Sequence, residues 1–292
     1  MCSTCGCGGD DHGQSETEIA PPPHPPHTHG HDHDDAHDPP ADPGAAGRRV
    51  RVEQELLAKN DRYAAANRQS WEARSILALN LLSSPGSGKT ALLVATSRAL
   101  AHDVKVAVVE GDQQTSLDAD RIRATGVAAM QINTGKGCHL DAHQVGHAVE
   151  SLALADRSLL FIENVGNLVC PAGFDLGEQA RVVVLSVTEG DDKPLKYPDA
   201  FASADLVVIN KIDLLPYVDF NVDRCIAYTR RLRPAVETLC LSATTGDGVA
   251  AWLAWLAARR TDLLQARRAR LAAELAAVDG ALNPPPGATP QP

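Results

Sequence analysis

Not one lysine or arginine occurs before Arg48, although nine aspartates and glutamates stand in that stretch. This one-sided segment carries almost all of the net charge of −10, because the rest of the chain sets 28 acids against 27 bases. Such a balance repels nucleic acid and attracts cations, so no nucleic-acid partner is expected. The chain also lacks any apolar run near the roughly 20 residues that a membrane-spanning helix needs. Its N-terminus has neither the basic nor the apolar region of a secretory signal. Seven cysteines, an odd number, with three of them crowded together, do not make a disulfide framework. A reduced cytoplasm is the expected setting, where clustered thiols more often hold metal.

Residues 1–47 have almost no aliphatic side chains, so they cannot bury enough surface to fold alone and read as a disordered tail. What the tail does have is metal-binding chemistry. Cys2, Cys5 and Cys7 come first, then His24, His27, His29, His31, His33 and His37 among aspartates. Three thiolates can wrap one soft or borderline ion, with the amino group or an imidazole filling a fourth position. The His/Asp tract suits a weaker reservoir.

The remaining length, in a chain 44% hydrophobic, suffices for one good-sized core. A helical pattern runs from Arg48 to about Trp71, with Val52, Leu56, Leu57 and Tyr63 as its apolar positions. Seven short aliphatic runs follow: ILALNLL, VKVAVVEGD, VAAMQI, LLFIENVG, RVVVLSV, ADLVVINK and VETLCLSA. Continuous runs of this length suit strands buried on both faces of a parallel sheet, and the helical stretches between them imply a doubly wound α/β domain. This reading gives a domain over 48–262. A helix from Val249 to Val278 extends beyond it, and NPPPGATPQP makes a disordered end.

The first strand runs into SSPGSGKTA, where Ser83 holds the first position of the phosphate-loop pattern G-x-x-x-x-G-K-[ST]. Ser84, Pro85, Gly86, Ser87, Gly88 and Ala91 are expected to line the phosphates, with the dipole of the following helix aimed at them. Lys89 is the candidate for the β- and γ-phosphates and Thr90 for Mg²⁺. NKID then chooses the base. Asp213 can accept from the two donor groups of guanine, the stem of Lys211 covers the ring, and Asn210 ties the loop to the phosphate loop. Ser242 and Ala243 close the pocket. Two acidic strand ends belong at the same sheet edge. Asp112 is expected to hold the water shell of Mg²⁺ and orient the attacking water. Glu163 is expected to be the Mg²⁺-linked acid, with Gly166 sensing γ-phosphate. No built-in arginine finger is evident, which implies slow hydrolysis of GTP.

Cys138, His139 and Cys170 also follow strand ends. They could meet as a site for Zn²⁺ or Ni²⁺, or they could be two packed thiols and a loop histidine. His143 and His147 share one helical face and read as solvated. Cys225 and Cys240 read as packed thiols.

Cys-x-x-Cys-x-Cys, the His-rich tract, SSPGSGKT, EGDQQTSLDADRI, GKGCHLDA, ENVGNLVCP and NKID occur in one order. The sequence thereby resembles the hydrogenase nickel-incorporation GTPases, the HypB family, from about Tyr63 to Gly248 and in the N-terminal cysteines. The resemblance implies a cytoplasmic P-loop GTPase that helps insert nickel into the large subunit of [NiFe]-hydrogenase, alongside other nickel-insertion accessory proteins. It implies a second metal site at Cys138, His139 and Cys170, and pairing of the domain as a homodimer when GTP is bound. Two further readings stay open: a Ni/Zn storage protein with a regulatory GTPase core, and a urease-type nickel GTPase.

Overall fold

The structure, a computed structural model, describes residues 43–100, 103–112, 117–135 and 137–282. Cys2, Cys5, Cys7, the His tract and the last ten residues therefore lie outside the described residues. The chain divides into a short unit, Met1–Ala45, and a main unit, Ala46–Pro292.

All seven aliphatic runs form strands of one parallel sheet. They are β1 (Leu77–Ser83), β2 (Val106–Asp112), β3 (Ala128–Asn133), β4 (Leu159–Glu163), β5 (Ala180–Ser186), β6 (Leu206–Asn210) and β7 (Glu237–Cys240), in the order β3-β2-β4-β1-β5-β6-β7. β1 sits at the centre, paired with β4 through Leu77↔Leu159 and with β5 through Leu79↔Ala180. β1, β4 and β6 are buried along their whole length, whereas the edge strands β3 and β7 are half-exposed. That distribution is why the central runs are continuously apolar: both faces are covered.

Alternation along β1 divides the core. Leu77, Leu79 and Leu81 face one layer, where Leu92 and Leu93 of α2 (Lys89–Leu100) meet Trp252, Trp255 and Leu256 of α8 (Val249–Leu282). Ala78 faces the opposite layer with Trp71 of α1 (Pro43–Ala73) and with Val145 and Val149 of α4 (Ala142–Ser151). Leu82 belongs further along that face, with Phe201 of α6 (Pro198–Ser203) and Cys225 of α7 (Val222–Leu232). Each fully buried leucine contributes roughly 1.5–3 kcal/mol. α3 (Leu117–Arg123) adds Ile122 to the α2 layer on the β3 side, and a short α5 (Lys193–Lys196) after β5 packs against α6 and α7.

Both long helices run past their expected ends, and α1 buries a different face from the apolar one. Leu56 and Tyr63 are exposed, whereas Asn60, Ala64 and Trp71 are buried. The physical reason lies in what α1 covers. At Asn60 and Asn67 it meets loop backbone, and amides there satisfy backbone groups that leucine would leave unpaired. α8 is buried only in its first turns, and Leu271, Leu275, Val278 and Leu282 are exposed. No helix among the described residues is long and apolar enough to cross a membrane.

Candidate functional site

A cavity of about 590 Å³ opens at the carboxyl edge of the sheet, walled by Pro85 to Ala91, Glu110 to Asp112, Glu163 to Gly166 and Lys211. Its floor is the turn between β1 and α2. Gly86 and Gly88 take φ of 75° and 95°, left-handed values that favour glycine. A Cβ on Gly88 would lie 2.4 Å from Asn210 Nδ2, so only glycine fits there. Lys89 is buried at the start of α2 and donates to Ser83 Oγ at 2.6 Å. Serine at the first motif position thus gives the waiting ammonium an acceptor. Burial holds the Lys89 pKa below its ordinary value, while Glu163 pulls it back up. Ser84 meets Lys193, whose Nζ is 3.0 Å from Ser84 Oγ.

The loop of the NKID motif, Asn210 to Asp213, is fastened to this turn. Asn210 Nδ2 donates to the Ser87 carbonyl at 2.9 Å, and its Oδ1 accepts from the Lys211 and Ala243 amides. Lys211 adopts φ 62° and its ammonium donates to the Gly86 carbonyl at 2.6 Å. Ser242, fully buried, caps the amides of Thr244 and Thr245. Asp213 Oδ1 is buried without a hydrogen-bond partner.

Thr90 Oγ1 donates to Glu163 Oε1 at 2.6 Å, while Glu163 Oε2 and Glu110 Oε2 are buried without partners. Glu110 and Glu163 are register partners on adjacent strands, which places both carboxyls on one face. Burial, and then the neighbouring Glu163, pushes the Glu110 carboxyl up to about 8. Burial likewise raises Glu163, opposed by Lys89. Orphaned carboxylate oxygens beside a threonine hydroxyl are hard donors that fit a divalent cation, with Asp112 on the same wall. Sequence reasoning passed over Glu110, Asp118 and Arg121, which share this cavity. An acid inside the apolar run VAVVEGD was the available signal for Glu110.

Cys138, His139 and Cys170 do come together: one ligand atom from each lies within 4.8 Å of the others. Cys138 Sγ is 3.6 Å from His139 Nδ1, and burial keeps the His139 pKa low, so its imidazole is available as a neutral ligand. The capping box of Asp141 and Gln144 fixes the first loop at the start of α4. Cys170 opens a 3₁₀ turn, Cys170–Gly173, and Phe174 beyond it stacks near the His139 ring at 3.9 Å. α1 straps both loops. Asn60 accepts from the Ala142 amide and donates to the Asp175 carbonyl, and Asn67 donates to the Ala142 and Leu176 carbonyls. Cys138 also lines the nucleotide cavity. Gly166 packs flat on Pro85, where a Cβ would sit 3.0 Å from Pro85 Cα, and Asn167 donates to the Cys138 carbonyl.

His143 and His147 are exposed, with Nε2 atoms 3.1 Å apart. Cys225 is buried and Cys240 half-buried, both packed as expected.

Residues 77–239 match the family described as CobW/HypB/UreG, nucleotide-binding domain. The hydrogenase maturation factor HypB of Azotobacter vinelandii is 61% identical over 220 residues, covering 75% of this chain and 73% of that protein. The chain belongs to the HypB family. The HypB of Escherichia coli K12 is 58% identical over 219 residues, covering 75% of this chain and 76% of the relative. Among solved structures, HypB from Helicobacter pylori in complex with nickel aligns at a TM-score of 0.66 and 40% identity, over 70% of this chain and 96% of that one. HypB from Archaeoglobus fulgidus aligns at 0.66 and 41%, over 70% and 100%. As a HypB-family protein, the chain carries a nucleotide-binding P-loop domain of the hydrogenase maturation class, which accounts for the cradle built by Ser83 to Ala91.

Proposed function

We propose that the protein hydrolyses GTP and uses the nucleotide state to control nickel held for insertion into the [NiFe]-hydrogenase large subunit. The observation that carries this reading is the double position of Cys138, which lines the nucleotide cavity and belongs to the three-ligand cluster. Lys89 and the amides of the phosphate loop would hold the β- and γ-phosphates, Asp213 would take the guanine edge, and Asp112 would orient water toward the γ-phosphorus. Attack by that water gives GDP and inorganic phosphate. Thr90, Glu163 and Asp112 would hold Mg²⁺, which supplies charge neutralisation at the phosphates. Gly166, packed on Pro85, would feel γ-phosphate, and Cys170 follows four residues later on the same segment.

Thiolate and imidazole at Cys138, His139 and Cys170 suit nickel as cargo, with Zn²⁺ as the competing ion. Three ligands leave a coordination position for a donor from the receiving protein or from a second G domain in a GTP-dependent homodimer. The tail cysteines Cys2, Cys5 and Cys7 would load nickel independently, in the cytoplasm. The test uses full-length protein with Cys2, Cys5 and Cys7 replaced by alanine, titrated with Ni²⁺ in the presence of GDP and of a non-hydrolysable GTP analogue. Couplings of this kind are worth about 1–3 kcal/mol, so the two affinities should differ by roughly 5- to 150-fold. Equal affinities would overturn the reading and favour a store whose metal ignores the nucleotide.

A further inference from the structure

One residue of the central strand breaks the apolar pattern and makes no sense as packing. Asn80 lies in LALNLLS, fully buried, between Ala78 of one apolar cluster and Leu82 of another on the same sheet face. An amide buried there costs stability unless each of its groups is paired. Both are. Its Oδ1 accepts from Asn164 Nδ2 at 3.3 Å, and its Nδ2 donates to Glu178 Oε1 at 3.2 Å.

The two partners lead to the two loops that carry Cys138, His139 and Cys170. Asn164 Oδ1 accepts from the Leu140 amide, the residue directly after His139. Glu178 Oε2 accepts from the Leu176 amide, and its Oε1 takes Arg181 at 2.8 Å. Arg181 in turn donates to the carbonyls of Ala172 and Phe174, on the segment that Cys170 begins. One buried polar chain therefore runs from His139 to the Cys170 turn through the middle of the sheet. It also touches the nucleotide side, since Asn164 lines that cavity and follows Glu163, which accepts from Thr90.

We infer that Asn80 and Asn164 are positioning residues that transmit the nucleotide state to the spacing of Cys138, His139 and Cys170. This deepens the proposed control of metal by nucleotide and rests on it. A shift of Glu163 and Asn164 when the cation and γ-phosphate bind moves the Leu140 amide directly, and moves the Cys170 segment through Asn80, Glu178 and Arg181. Hydrogen bonds in a low-dielectric interior resist being broken singly, so the chain moves as a unit.

The experiment uses full-length protein with Cys2, Cys5 and Cys7 changed to alanine as parent. Nickel affinity and the thiolate-to-nickel charge-transfer band are measured with GDP and with a non-hydrolysable GTP analogue. Asn80→Leu keeps the branched shape and the heavy-atom count but cuts the chain. It should bring the ratio of the two affinities from the expected 5- to 150-fold to within about twofold, and abolish the nucleotide-dependent shift of the band, while GTP affinity stays at the parent value. Asn80→Asp sets a carboxylate against Glu178, and Glu178→Gln removes the acceptor charge; each alone should lose the ratio. A parent without nucleotide dependence overturns the proposed function and this inference together. A parent that has it, with N80L retaining the full ratio, overturns the relay alone. Should N80L fail to fold, N80D or E178Q retaining the full ratio overturns it equally.

Discussion

Replacing Asp213 by asparagine tests the proposed reading of guanine most sharply. In the folded protein one oxygen of this carboxylate is buried without a partner, in a loop that Asn210 pins to the phosphate loop. Guanine presents its N1–H and 2-amino group side by side, a match for two carboxylate oxygens. A hydrogen bond to a charged group is worth about 1.5–3 kcal/mol, so the pair is worth about 3–6 kcal/mol, or about 10²- to 10⁴-fold in affinity. Asparagine keeps one acceptor and turns an NH₂ toward a donor, so GDP affinity should fall through most of that range. Xanthine carries an oxygen in place of the 2-amino group. The same NH₂ then gains a partner, and xanthosine diphosphate should bind the variant more tightly than it binds the wild type. Calorimetric titration of GDP, xanthosine diphosphate and ADP into both proteins at saturating Mg²⁺ reads all of this. ADP should bind weakly to each. A GDP loss below about tenfold, or an equal fall for GDP and xanthosine diphosphate, would refute the idea that Asp213 reads the base.

Lys89→Ala should abolish GTP turnover in a phosphate-release assay by removing the buried ammonium at the phosphates, and residual turnover within tenfold of wild type would contradict that placement. Gly88→Ala should cost at least about 1–2 kcal/mol in urea unfolding, because φ of 95° is strained for alanine and its Cβ meets Asn210. The Glu110 carboxyl is near 8 when folded against an ordinary 4.5. The native state therefore holds a proton that the unfolded chain releases, and stability of the nucleotide-free protein should fall as pH rises from about 4.5 to about 8. Glu110→Gln should flatten that dependence, and an identical pH profile for the two proteins would count against it. Removing Cys2, Cys5 and Cys7 together should eliminate the tightest nickel site and its near-ultraviolet band but leave GTP hydrolysis unchanged.

The strands and the phosphate loop were legible because their signals are local. Continuous Val, Leu and Ile runs announce burial on both faces, and GSGKT names its own neighbours. Cys138, His139 and Cys170 were legible as residue types, but their meeting depends on which strand ends become adjacent, and the resemblance to a family supplied that step. The buried face of α1 does not follow its apolar positions. Leu56 and Tyr63 are exposed, whereas Asn60 and Asn67 pack against loop carbonyls and amides. Apolar periodicity does not register a partner that is backbone. Asn80, Glu110 and Glu178 were missed for a related reason: each is a polar residue whose value is set by a partner on another strand or loop, in register relations that only the fold establishes.

The central place of β1 sets the order in which the protein can be made. Its neighbours in the sheet, β4 and β5, begin with Leu159 and Ala180, so β1 is synthesised long before anything can pair with it. With about 80 to 100 residues between partners and synthesis at about 5–20 residues per second, β1 waits roughly 4–20 s beside the emerging chain. A parallel sheet has no hairpin to shorten that wait. The phosphate loop attached to β1 is thus among the first functional segments made and among the last to take shape, since its clamp, Asn210, is the last residue of β6. Nucleotide can stabilise only chains that have already closed the sheet. It acts late in folding, as a ligand that retains finished molecules rather than one that guides unfinished ones.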